Sequence, residues 1–238
     1  MSKVKLAATI MLGRDKDGAL EILLLKRNKA LAFAGGLWVF PGGKIEPAEV
    51  AQSKDELAAA KLAAIREIKE EANLDLETEQ LLFFRHWTTP VIEPRRYATY
   101  FFFGAADFSA SEVTIDDSEI KAHQWLSPQA ALDELAKGNL AMMPPTIMSL
   151  QLIRKCSTVK AASALIAQEN AIFILPVLQM VKGKMVCMYK GDAGYATGNG
   201  AELGARHRLT LDMTNGANYF EFKDCEAGIE PVNGGMHL

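Results

Sequence analysis

Arg66-Glu67-Ile68-Lys69-Glu70-Glu71 decides the reading of this chain. At roughly 100° per residue, Glu67, Glu70 and Glu71 share about a quarter to a third of the circumference of one short helix. Leu62, Ile65, Ile68 and Ala72 fall on the opposite side, so the pattern predicts a helix that buries one face and presents acid on the other. Three like charges this close repel one another and cost stability, so something cationic is expected over them. Clustered carboxylate oxygens suit a hard divalent cation, Mg²⁺ or Mn²⁺, which keeps several waters and binds substrate phosphates. A solvated helix face is the plainer alternative for a run of charge.

The residues upstream sharpen the choice. Phe40-Pro41-Gly42-Gly43-Lys44 follows the strand-like Leu37-Trp38-Val39 and precedes the acidic helix. Two glycines let the backbone turn and approach a ligand closely. Together the two stretches resemble the Nudix box, Gly-x5-Glu-x7-Arg-Glu-U-x-Glu-Glu-x-Gly-U, where U is a bulky aliphatic residue. Gly43 and Glu49 supply the opening, but nine more residues than usual then precede Arg66. Ser53-Lys54-Asp55-Glu56 reads as a capping box. It predicts a helix starting near Lys54, with Leu57 to Ile65 as added turns, and it weakens any role for Glu49. Asn73 stands where the family has glycine, and Asn is the next-best residue for a left-handed stop.

The resemblance implies an α/β (α+β) fold, the Nudix α/β/α sandwich with a mixed sheet. It implies Glu67, Glu70 and Glu71 as metal ligands, joined by a carbonyl of the Gly42-Gly43 loop, for which Gly43 is the candidate. Arg66 is expected to orient a glutamate, with a surface ion pair as its plain alternative. Glu70 and Arg66 are the catalytic candidates within the box. Glu119, in Asp116-Asp117-Ser118-Glu119, is the candidate base from outside it, against a solvated acidic loop. Arg27, Arg95 and Arg96 are candidate phosphate contacts, because a guanidinium offers phosphate a bidentate fork.

Further residues look like the branch that includes peroxisomal-type coenzyme A diphosphatases and their bacterial relatives. These are Leu24-Leu25-Lys26-Arg27, Ala32 to Gly43, Trp87-Thr88-Thr89-Pro90, Arg95 to Phe102, Glu119 with Trp125, and Pro144-Pro145-Thr146. Ala32, Ala98 and Tyr100 depart from that branch's pattern.

Composition is that of a globular protein: 238 residues, 49% apolar and 23% charged. A net charge of −3 argues against bulk binding to nucleic acid or an anionic membrane. Cys156, Cys187 and Cys225 lack CxxC spacing, so reduced thiols and a cytoplasmic setting are the default. The apolar start from Leu6 to Leu12 is too short to span a membrane and reads as a buried strand.

Apolar runs predict strands over Lys5–Leu12, Leu20–Lys26, Leu37–Phe40, Leu81–Trp87 and Tyr97–Gly104, with a hairpin turn at Asp17-Gly18. Ser127-Pro128, Pro144-Pro145 and Thr158 open helices. After about Ala171 four strand-like runs follow, Ile172–Met180, Met185–Tyr189, Arg206–Met213 and Tyr219–Lys223, with turns at Lys182-Gly183 and Asn215-Gly216. The reading is a Nudix domain over residues 1–168 and a small C-terminal β appendage over 169–238. The appendage is expected to pack on the main domain or on a second subunit of a homodimer. Gly191 to Gly204 reads as a flexible connection rather than a nucleotide cradle.

The expected activity is metal-dependent cleavage of a nucleoside diphosphate linked to another group: coenzyme A, ADP-ribose or a dinucleotide. A nucleotide-sensing module without catalysis is the rival. Three retained glutamates argue against it, since a non-catalytic domain has no need to tolerate their repulsion. His86, His123 and His207 read as structural.

Overall fold

A computed structural model describes residues 3–105, 113–115, 117–212 and 218–233. Asp116, Asn215 and Gly216 lie outside them. The expected β1 (Lys5–Lys16) and β2 (Ala19–Arg27) form a hairpin closed by Asp17-Gly18, both at positive φ. The hairpin pairs only from Gly13 to Lys16 against Ala19 to Ile22, and then the strands part. Into the gap runs a wedge that the sequence reading did not separate: β3 (Trp38–Val39) pairs with β2, and β4 (Gly42–Lys44) pairs with β1. Pro41 sits between them and its carbonyl accepts from Ile10 N at 2.9 Å and Thr9 Oγ1 at 2.7 Å. The Gly42-Gly43 segment is therefore strand in the middle of a sheet.

β5 (Leu81–Thr88) and β6 (Tyr97–Ala105) extend the sheet beyond β1, with β6 parallel to β1. β7 (Ile120–Leu126), which periodicity did not reveal, covers the other edge of β2. β8 (Ile172–Ile174) adds in parallel to β5. The large sheet thus continues past residue 168. The run expected over Ile172–Met180 breaks at Leu175-Pro176, because proline has no N–H for a ladder.

Both faces of this sheet are buried, which is why Phe101-Phe102-Phe103 is continuously apolar. Phe102 joins Ile10, Leu12, Leu23 and Leu25 under α2 (Glu56–Ala72), while Phe101 and Phe103 join Met11, Ile22 and Leu24 on the other face. There the chain stacks α3 (Pro128–Ala136), α4 (Pro144–Ile153) and α5 (Val159–Gln168), with Ser127 and Thr158 capping α3 and α5 as expected.

α2 differs from expectation at its start and in its buried face. A separate short helix, α1 (Pro47–Gln52), precedes it, and the cap of α2 is Asp55, accepting from Ala58 N at 2.8 Å, rather than Ser53. The stripe facing the sheet is Ala59, Ala60, Ala63, Ala64, Ile68 and Ala72, with Leu62 and Ile65 only half-buried. Alanines let a helix lie close to a sheet, and here they override the larger side chains. Asn73 ends the helix at φ 55°, the left-handed stop expected of it.

A second antiparallel sheet is built from β9 (Val177–Val181), β10 (Lys184–Met188), β11 (Arg206–Asp212) and β12 (Asn218–Lys223). It packs on the main unit: Cys187, Tyr189, Leu209 and Phe220 share one core with Trp87 and Phe101, and the Tyr189 and Trp87 rings lie 5.8 Å apart. The loop expected to be a flexible connection folds around a buried ion pair. Asp192 accepts from Arg208 Nε and Nη2 at 2.7 and 2.5 Å, from His207 N at 2.9 Å and from Gly194 N at 2.9 Å. A buried carboxylate with four donors organises the glycines around it. Among the described residues no helix is long and apolar enough to cross a membrane.

His207 tethers the end of the described chain. Its Nδ1 lies 2.6 Å from the Lys190 carbonyl, which can only accept, so the proton is on Nδ1, and Nε2 accepts from Val232 N at 3.2 Å. Burial lowers its pKa, against smaller opposing effects of the Lys190 carbonyl and Asp192. The folded state therefore binds its proton more weakly than the unfolded chain. Stability from this group is complete above the unfolded value of about 6.5 and drains away as pH falls below it. In urea unfolding, the stability advantage of the protein over His207→Asn is expected to shrink as pH falls from 7 to about 5; the lowered His86 and the raised Glu71 titrate in both proteins and cancel in the difference.

Candidate carboxylate site at the sheet wedge

Glu71 falls on the buried side of α2 beside Ile68 and Ala72, so this glutamate is buried rather than aligned with the exposed acid. That corrects the expectation of three equivalent carboxylates. Glu71 is 6% exposed, Glu67 half-buried and Glu70 exposed. Glu71 Oε2 accepts from the Gly42 N–H at 2.9 Å, and Oε1 lies 3.7 Å from Arg27 Nη1. The Glu67 carboxylate rests on Gly43, where an added Cβ would overlap its oxygens. A Cβ at Gly42 would overlap the Ala8 carbonyl and come within 2.7 Å of Thr9 Cα. Close approach of backbone requires the glycine at 42, while a side chain at 43 would displace the Glu67 carboxylate.

Arg66 holds the group together. Its Nε donates to Glu49 Oε1 at 2.8 Å, Nη1 to Glu67 Oε1 at 2.8 Å and Glu70 Oε2 at 3.0 Å, and Nη2 to the Lys44 carbonyl at 2.9 Å. Partial burial works against its charge, but the bonds to Glu49 and Glu67 hold its pKa above the usual value. Glu49 is thus part of the site despite the longer spacing. Its other oxygen accepts from Glu46 N at 2.7 Å across the first turn of α1, which brings the extra segment back to the cluster.

Glu119 and Arg27 also arrive here, joined at 3.3 Å through Arg27 Nη2. Arg95 and Arg96 make no bond to the cluster among the described residues. Arg95 is exposed, and Arg96 Nε donates to the Thr89 carbonyl at 3.1 Å. Glu49 was underrated and Tyr100, which bonds Glu56, was unanticipated.

The charges are unbalanced. Burial pushes the Glu71 carboxyl up to about 8; Glu67 and Glu119 add to the rise, while the Gly42 N–H and Arg27 oppose it. Burial likewise raises Glu67. Hard carboxylate oxygens and a close glycine backbone fit Mg²⁺ or Mn²⁺. As the side chains stand, no three acidic, histidine or cysteine groups among the described residues enclose an ion. Arg66 draws Glu67 and Glu70 to itself, while Gly42 and Arg27 engage Glu71.

A split sheet with an acidic helix closed over a Gly-Gly wedge is an architecture that similarity to known proteins names. The chain belongs to the Nudix family, with residues 4–145 matching the NUDIX domain. Nudix hydrolase 8 of Arabidopsis thaliana is 29% identical over 106 residues, 44% of this chain and 26% of that protein. The chain thus matches about a quarter of that relative's length. The crystal structure of a NUDIX hydrolase from Alicyclobacillus acidocaldarius has a TM-score of 0.60 at 21% identity, covering 69% of this chain and 97% of that one. A weaker likeness, TM-score 0.49 at 15% identity over 65% of this chain and 89% of the other, is to the NUDIX domain of Shewanella oneidensis NrtR complexed with ADP ribose.

Glu49→Gln leaves Arg66 with one fewer charged partner in a half-buried setting. It is expected to cost about 1–3 kcal/mol in urea unfolding, whereas Glu70→Gln, at an exposed carboxylate, should cost well under about 1 kcal/mol.

Proposed function

We propose that the chain is a divalent-cation-dependent hydrolase that cleaves the diphosphate bond of a nucleoside diphosphate joined to another group. The observation that carries this reading is that one turn of α2 sets Glu67 against Gly43 and Glu71 on the Gly42 N–H, with Arg66 holding Glu67 and Glu70 together. Glu67, Glu70 and Glu71 would hold Mg²⁺ or Mn²⁺, with a Gly43 carbonyl as a further oxygen. The bound cation would supply neutralisation of phosphoryl oxygens as charge builds on them.

The chain's own groups divide the remaining work. Arg66 fixes the glutamate rotamers, so the cation oxygens are ordered before substrate arrives. Glu119 takes the proton from the attacking water, with Glu70, the exposed box carboxylate, as the alternative base. Water forms the new bond to phosphorus, the bridging oxygen leaves with the electron pair, and solvent protonates it. Arg95 and Arg96 offer guanidinium groups for phosphate.

For the leaving group we favour coenzyme A or an acyl-CoA, on the resemblance of the stretch from Leu24 to Leu152; ADP-ribose or a dinucleotide is the alternative. Three free cysteines accord with a reducing, cytoplasmic setting.

Mass spectrometry of products from coenzyme A, ADP-ribose and dinucleotides, with and without Mg²⁺, tests the proposal. The expected product is a nucleoside monophosphate or its 3′-phosphate, formed only with the cation. Binding with no hydrolysis of any compound would favour a sensing module. Glu70→Gln should lower turnover by on the order of 10²-fold or more, and near-normal turnover in the folded variant would refute the assignment.

A further inference from the structure

We propose that Arg27 is the resident counter-cation of this site: a positioning residue that holds Glu71 toward Glu119 until a divalent ion displaces it from Glu71. The inference rests on the reading of Glu67, Glu70 and Glu71 as cation ligands.

The two arginines of the site are held very differently. Arg66 spends Nε, Nη1 and Nη2 on bonds of 2.8 to 3.0 Å, whereas Arg27 stands 3.7 Å from Glu71 Oε1 and 3.3 Å from Glu119 Oε2. A separation of 3.7 Å is outside hydrogen-bonding range and is a contact of charge alone. The Arg27 Nε is buried without a partner. Its guanidinium therefore donates a hydrogen bond to Glu119 but meets Glu71 as charge alone. Glu71 is divided in the same way: Oε2 is anchored on the Gly42 N–H, and Oε1 has only the loose contact with Arg27. Oε1 is the oxygen an incoming ion can take without undoing a hydrogen bond.

The backbone puts Arg27 there deliberately. The β2–β7 register shifts between Lys26 and Arg27, and such irregularities re-aim a side chain. Arg27 N donates to the Leu37 carbonyl at 3.0 Å, and its own carbonyl accepts from Gly36 N at 3.1 Å. Asn28 N donates to the Glu119 carbonyl at 2.7 Å, and Asn28 Nδ2 to the Ser118 carbonyl at 3.0 Å. Arg27 and Glu119 are thus brought together by main chain, and the fold does not need the ion pair to keep them adjacent.

A side chain that competes with the ion lowers the ion's affinity, so removing it gives a gain that structural damage does not mimic. Mn²⁺ titration of the full chain, followed by electron paramagnetic resonance of the free ion, measures this directly. Arg27→Gln is expected to bind Mn²⁺ roughly 3- to 10-fold more tightly than the unaltered protein, and Arg27→Lys to stay within about twofold. Equal or weaker binding by Arg27→Gln overturns the proposal. Glu71→Gln separates it from the reading beneath it. Binding that is lost in Glu71→Gln but indifferent to Arg27→Gln removes only the role of Arg27. Binding unchanged by Glu71→Gln removes the cation site, and Arg27's role with it.

Discussion

Arg66 donates to Glu49, Glu67, Glu70 and the Lys44 carbonyl, and this four-way contact joins the first turn of α1, the end of β4 and the acidic turn of α2. Without a cation at that point, the glutamates would repel one another. The arginine also sets how much charge is left over. Its neighbours are satisfied, while the more deeply placed Glu71 keeps a pKa raised by burial. The exposed half of the site is therefore organised by one guanidinium.

How much of this was legible depended on the kind of signal. Long apolar runs announced β1, β2, β5 and β6, and Asn73, Ser127 and Thr158 marked helix ends, because local chemistry determines those features. The box glutamates were legible through their helical spacing. β4 and α1 were not, since elements of three and six residues carry too little periodicity to register. The burial of Glu71 was hidden for another reason. An alanine stripe is a faint hydrophobic signal, and the larger Leu62 and Ile65 pointed the helical wheel the wrong way. Glu49 was discounted because spacing along the chain seemed to remove it. Its return to Arg66 depends on α1 folding back, which no local pattern states.

The second sheet is continuous with the main core through Cys187, Tyr189, Leu209 and Phe220. Its long glycine-rich loop is organised by a desolvated Asp192–Arg208 pair instead of being slack. Such a pair adds little net stability over an apolar substitute, but losing one member is costly. The extension therefore shares one core with the large sheet, where Trp87 meets Tyr189.

The wedge of β3 and β4 carries a consequence for how this chain could diversify. Because residues 38–44 are bonded to β2 at one end and β1 at the other, the floor beneath the carboxylates is anchored like masonry and offers little room for drift. The segments at 28–36 and 89–96 belong to neither ladder and are held by turn and side-chain bonds of their own. Insertions and deletions would be tolerated in such irregular segments before they are tolerated within residues 38–44.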